Sequence, residues 1–276
     1  MSWSTRTVSS SSKKSPLLIA HRGGEACWPS NTLFAFQQAL KLGADSLEMD
    51  LQCTADGVIV VRHDPFVEST TDGSGLIHDF TLAGLKRLDA GYTWTEDGGQ
   101  TFPYRGRGIT IPTLEEVFLA FPDVHLNIDI KPKAAQVVHQ LNEMLHTFGR
   151  LEQTTVGSFH DDQLRLFRQL CPHTPTAAGV FETRTFFLLS RIFLDRLYHP
   201  QAQSFQIPEY AGFLHLLTPR FIRAAHAQGI PVHVWTVNEQ DDMLRLIEWG
   251  VDGIITDYPD RLAAILNSQA RVILQD

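Results

Sequence analysis

The chain has 276 residues, 43% of them hydrophobic, and 23 Lys+Arg against 31 Asp+Glu give a formal net charge of −8. That length accommodates two average domains or one α/β barrel, and the acidic balance excludes a general attraction for nucleic acid or an anionic membrane. Cys27, Cys53 and Cys171 are isolated, with neither zinc-site spacing nor a disulfide framework. No run of about 20 apolar residues marks a membrane span. The N-terminal MSWSTRTVSSSSKKS is polar and lacks the apolar core of a signal peptide. A soluble, cytoplasmic protein is the expectation.

Residues 1–15 read as a disordered tail and 16–276 as one domain. Strand-like PLLIAH (16–21) precedes helix-like NTLFAFQQALKLG (31–43), and DSLEMDLQ (45–52) is followed by VIVVRH (58–63), which continues that strand or forms a hairpin with it. The stretch from Asp64 to Ile111 is too long for an ordinary βα loop and suggests a substructure inserted beside the second strand. Helix 112–121 leads to strand 124–130, helix 134–147 to strand 154–159, and helix 161–170 to a weak strand at 174–180. A long apolar helix over 183–197 precedes a second weak strand at 202–207. Helix 218–228, strand 230–237, helix 239–249, strand 252–256 and helix 259–268 close the series. About eight β/α units predict a (β/α)8 TIM barrel with a small insertion after the second strand; the two weak strands leave a seven-unit count open. No GxGxxG follows the first strand, which argues against a dinucleotide site.

In a strand, alternate residues share a face. Glu48 and Asp50 therefore project together in DSLEMDL, and Asn127, Asp129 and Lys131 do so in LNIDIK. Late in barrel strands, these groups face the C-terminal mouth. Glu48, Asp50 and Asp129 form an oxygen-rich set suited to a divalent metal ion, Mg²⁺ or Ca²⁺. The alternative is a buried ion-pair network with Lys131 and Arg62. His21 and His63 end apolar runs beside this cluster and make an acid/base pair. Arg22 and Lys131 supply fixed positive charge for an anionic oxygen, and the combination suits phosphodiester cleavage.

HRGG…WPSNTLFAFQQALKLGADSLEMDLQCTADGVIVVRHDP resembles the opening of the glycerophosphodiester phosphodiesterase family, and TTDGSGLIHDFTLAGLKRLDAG, IPTLEEVF, LNIDIK, VHVWTVN and GVDGIITDYP extend the likeness to the last helix. The resemblance implies a TIM barrel that hydrolyses a small-molecule glycerophosphodiester to sn-glycerol 3-phosphate and an alcohol. It implies His21 and His63 as acid and base, Glu48, Asp50 and Asp129 as metal ligands, and Arg22 and Lys131 on the phosphate. Trp235 would lie against the glycerol or alcohol portion, with Asn31 near the first loop. Two positions depart from the family pattern: Ser30 stands where PENT has glutamate, and Asp129 where EIK has glutamate. A lysophospholipase D and a barrel that binds glycerophosphodiesters without turnover are the rival readings.

The segment TRTFFLLSRIFLDRLY (183–198) reads as a barrel helix with its arginines in water, a membrane-surface helix being the alternative. His233 reads as a core histidine, Cys27 as an unreactive loop thiol, and Asp257 as a structural cap. The oligomeric state is left open.

Overall fold

Apolar strands with two faces to cover are best satisfied by a closed parallel barrel, with helices outside and packed side chains inside. The computed structural model describes residues 15–273, so all but the last residue of the predicted N-terminal tail lies outside the described residues. Its strands are β1 (Leu17–Ala20), β2 (Ser46–Cys53), β3 (Ile59–Val61), β4 (His125–Ile130), β5 (Thr154–Gly157), β6 (Phe205–Pro208), β7 (Tyr210–Ala211), β8 (Leu214–His215), β9 (Val232–Trp235) and β10 (Gly253–Thr256). The helices are α1 (Leu33–Lys41), α2 (Leu82–Leu85), α3 (Leu114–Ala120), α4 (Ala135–Thr147), α5 (Asp161–Leu170), α6 (Val180–Arg191), α7 (Pro219–His226), α8 (Gln240–Trp249) and α9 (Pro259–Ile273).

The parallel sheet runs β5-β4-β2-β1-β10-β9-β6. Between β5 and β6, Thr176 pairs with Val156 and Ala177 pairs with Ser204, which fills the eighth position and closes the (β/α)8 barrel. The sequence predicts a longer strand at 174–180. Pro172 and Pro175 lack the N–H that a ladder needs, and Gly179 already caps α6, so only two residues remain to pair.

VIVVRH forms a hairpin rather than a continuation: β3 pairs antiparallel with β2, Leu51 opposite Val61 and Cys53 opposite Ile59. From there Asp64–Ile111 builds the insertion, which packs Val67, Ile77, Leu85, Ala90 and Ile111 on Val60 as a small core of its own. The Trp94 indole donates to the Glu25 carbonyl at 3.1 Å and fastens the insertion to the loop after β1.

Helix starts follow local chemistry. The Thr32 hydroxyl accepts from the Ala35 amide, and Thr113 with Glu116 forms a reciprocal capping box. Outward-facing Leu47 and Met49 pack with Phe36, Val117 and Leu141 in one core; Phe186, Phe205 and Phe221 centre the other. Fully burying such a side chain contributes about 1.5–3 kcal/mol. The helix predicted over 183–197 begins earlier and stops at Arg191, where Phe193 turns left-handed at φ 62°. The short hairpin β7–β8 lies in a stretch for which the sequence predicts no element.

Candidate active site

After β1, residues His21–Gly23 make one 3-10 turn with Arg22 at φ 51° and Gly23 at φ 84°. Glycine is required at 23: a Cβ there would sit 2.8 Å from the Ala35 Cβ and 2.9 Å from the Phe36 ring. This tight packing on α1 aims His21 and Arg22 across the barrel mouth. The His21 Nδ1 lies 2.5 Å from the Asp257 Oδ1, and its Nε2 lies 3.9 Å from the Glu48 Oε2. Burial alone would lower the imidazole's pKa, but the Glu48 and Asp257 carboxylates outweigh it and raise it.

Parallel pairing sets Glu48 opposite Asn127 and Asp50 opposite Asp129. The Lys131 ammonium stands between two of these acids, 3.0 Å from Asp50 and 2.6 Å from Asp129. Arg22 closes the other side, its Nε 3.3 Å from the Asp50 carboxylate and its amide donating to Glu48 at 2.9 Å. Asn31, itself left-handed at φ 56°, donates to Asp50 at 2.9 Å. Burial works to raise the Asp50 pKa, yet Lys131, Arg22 and Asn31 together hold it below the usual range. Burial and the neighbouring Asp50 push Glu48 up to about 7. Asp129 is also raised, by burial against the opposing pull of Lys131.

At the end of the β3 run, the His63 Nδ1 lies 2.7 Å from the Asp64 Oδ1. Both histidines are thus held at Nδ1 by a carboxylate, the arrangement that orients an imidazole for proton transfer at Nε2. Arg62 reaches into the insertion, where it bonds to Ser69, Thr70 and the Phe66 carbonyl and lies 3.9 Å from the Asp64 carboxylate. It therefore takes no part in a buried network with Lys131. Trp235, at the end of β9, meets Phe159 edge-on at 5.7 Å, and the Lys131 ammonium lies 5.7 Å from the Phe159 ring. Beside Trp235 opens a cavity of about 550 Å³, bounded also by Tyr210 and Asn238.

The structure brings His21, Arg22, Asn31, Glu48, Asp50, Asp129 and Lys131 together at this mouth, with His63 near enough to act on Asp50 and Asp129. Trp235, at the end of β9, is joined to Lys131 through Phe159. Asp257 corrects its reading as a cap: its carboxylate binds His21, and its other oxygen accepts from Asn238 at 2.7 Å. Glu25 was also missed; it pairs with Arg22 at 2.7 Å. Among the described residues, His21, Glu25 and Asp257 bring ligand atoms within 4.8 Å of one another, a possible metal-binding group. Glu48, Asp50 and Asp129 are not gathered to that spacing, with Lys131 placed between the two aspartates. Burial and the Asp260 carboxylate push the Cys27 thiol up to about 12, which disfavours its thiolate.

By chemistry, the carboxylates of Glu48, Asp50 and Asp129 are hard oxygen donors of the kind a divalent cation takes. In this structure Lys131 and Arg22 pair with the aspartates, while burial and the neighbouring Asp50 raise the pKa of Glu48. A bound divalent ion would take the place of the Glu48 proton.

The sequence pattern of the glycerophosphoryl diester phosphodiesterase family matches residues 21–261. A glycerophosphodiester phosphodiesterase of Caldanaerobacter subterraneus is 34% identical over 253 residues, covering 89% of this chain and 96% of that protein. The putative glycerophosphodiester phosphodiesterase YhdW of Bacillus subtilis is 38% identical over 248 residues, covering 88% and 95%. Lysophospholipase D GDPD1 of Rattus norvegicus is 28% identical over 280 residues, covering 91% and 86%. Among solved structures, the glycerophosphoryl diester phosphodiesterase domain of Mycobacterium tuberculosis Rv2277c superposes with a TM-score of 0.77 at 25% identity, covering 91% and 98%. An Oleispira antarctica phosphodiesterase in complex with the product sn-glycerol-3-phosphate gives 0.73 at 26% identity, covering 92% and 97%.

Proposed function

We propose that this chain, which belongs to the glycerophosphoryl diester phosphodiesterase family and is a phosphoric diester hydrolase, cleaves glycerophosphodiesters to sn-glycerol 3-phosphate and an alcohol in a metal-dependent reaction. The observation that carries this reading is the arc of four neighbouring strands, β10, β1, β2 and β4, whose ends hold Asp257, His21, Arg22, Glu48, Asp50, Asp129 and Lys131 together.

In this reading Arg22 and Lys131 bind the phosphate oxygens and offset charge that builds on them. Glu48, Asp50 and Asp129 would hold Mg²⁺ or Ca²⁺, and such an ion would supply Lewis-acid polarisation of the phosphoryl group. His21, whose raised pKa keeps it protonated nearer neutrality, gives a proton to the leaving alkoxide, and His63 takes one from the nucleophile. Asp257 and Asp64 hold the two rings by Nδ1. The cavity beside Trp235 receives the alcohol portion. Three free thiols fit a cytoplasmic setting, and no helix among the described residues is long and apolar enough to cross a membrane.

The test is release of glycerol 3-phosphate from glycerophosphocholine with Mg²⁺, with Ca²⁺ and with chelator. Turnover with neither metal, across several head groups, overturns the proposal. A second reading, lysophospholipase D action, is favoured by the rat relative and by Phe159, 57% exposed beside Trp235, where an acyl chain could lie. Comparing glycerophosphocholine with its acylated counterpart separates the two. A binding-only barrel falls with the family assignment.

A further inference from the structure

We propose that the end of α6 and the turn after it form a docking surface for an anionic lipid bilayer. α6 buries Phe186, Phe187 and Ser190 against the barrel, which satisfies its inner face. Its outer face and the following turn leave Leu188 63%, Ile192 61%, Phe193 74% and Leu197 76% exposed. Single exposed apolar residues are ordinary; four large ones within ten positions form a patch that calls for a partner. The left-handed Phe193 turns the chain as the helix ends, and the Arg220 guanidinium lies 4.6 Å from its ring while paired with Asp195.

Charge selects the partner. Residues 183–198 carry three arginines and a single acid, Asp195, in a chain of net charge −8. Arg191 and Arg196 are interspersed in sequence among these apolar residues, and neither has a carboxylate partner among the described residues. Apolar groups at the depth of the acyl boundary, with arginines at the level of lipid phosphates, are the pattern of an interfacial helix. A second copy of the chain is the poorer occupant, because a two-fold contact would set these arginines against themselves with no acid opposite. The 12-residue helix is about 18 Å long, and none of the apolar residues of the patch belongs to the candidate active site. The proposal rests on no part of the catalytic assignment.

The experiment is co-sedimentation of the full chain with vesicles of phosphatidylcholine alone or mixed with phosphatidylglycerol. Binding is expected only to the anionic vesicles and should weaken as salt is raised. Phe193→Asn with Leu197→Ser, in which Asn tolerates the left-handed backbone, should weaken it at least about tenfold, as should Arg191→Glu with Arg196→Glu. Thermal melts of both variants check folding, and hydrolysis of soluble substrate should be unchanged. No binding at low salt, or binding indifferent to both variants, overturns the proposal. A concentration-dependent dimer abolished by Phe193→Asn with Leu197→Ser assigns the surface instead to a second copy and overturns it equally.

Discussion

The Nδ1 of His21 and the Oδ1 of Asp257, 236 residues apart in sequence, lie 2.5 Å apart at the barrel mouth. The aspartate fixes which ring nitrogen carries the proton and directs Nε2 toward Glu48. Asp257→Asn keeps the volume but, with its amide turned toward His21, stabilises the opposite tautomer. The expected outcome is a fall in kcat of about 10²–10⁴-fold with little change in KM or melting temperature. A loss explained entirely by unfolding would make Asp257 structural only.

His63→Ala should lower kcat by about 10²–10⁴-fold while leaving folding intact, since the ring sits at a partly exposed loop edge and its bonded partner, Asp64, is open to water. Activity measured beside circular dichroism decides it. Residual activity near wild type would remove His63 from the chemistry.

Metal binding should release a proton. In the metal-free protein, burial and Asp50 hold Glu48 at about 7, so below that pH the group is protonated and must ionise to become a ligand. Apparent Mg²⁺ or Ca²⁺ affinity therefore rises with pH up to about 7 and levels above it. Titration calorimetry in buffers of different ionisation enthalpy reads the proton directly. Glu48→Gln should remove the proton release and weaken binding, and chelator should abolish turnover.

Gly23→Ala should destabilise the fold by about 2–4 kcal/mol, combining left-handed strain with overpacking against Ala35 and Phe36. Because the same turn aims His21 and Arg22, activity should fall further than stability alone accounts for. Denaturant unfolding measured beside kcat tests both parts.

Acid should weaken the barrel from its interior. Burial lowers the pKa of His125 to about 3 and of His233 to about 4, below the ordinary value of 6.5. A depressed folded pKa means the unfolded chain takes up protons first. Stability is then full above pH 6.5 and declines as pH falls toward about 4. Unfolding curves across that window should shift steadily, and His233→Gln should flatten the slope.

The face-sharing acids of β2 and β4 were legible because strand periodicity is strict: once Leu47 and Met49 are assigned outward, Glu48 and Asp50 must face in. His21 and His63 were legible from their places at the ends of apolar runs. Asp257 was not, since a lone acid after a strand carries no local sign of a partner two hundred residues earlier. Lys131 was read as a phosphate ligand, but its position between Asp50 and Asp129 depends on cross-strand register, which no single segment encodes. At α6 the apolar run continues past the helix end, so periodicity offered no stop signal, and the break came from a left-handed phenylalanine instead of the usual glycine.

The short pairing of Thr176 and Ala177 gives the barrel wall a zipper with few teeth. Four backbone bonds hold it: Val156 to Pro175, Ala177 to Val156, Gln203 to Thr176 and Ala178 to Ser204. Going round the wall, this seam is the fifth position and β1, with His21 at its end, is the first, directly across the barrel. Breathing of the wall should therefore concentrate at residues 174–178, where amides exchange with solvent earliest, while those of β1, β2 and β4 exchange last. The wall should loosen on that side while the opposite side keeps the site still.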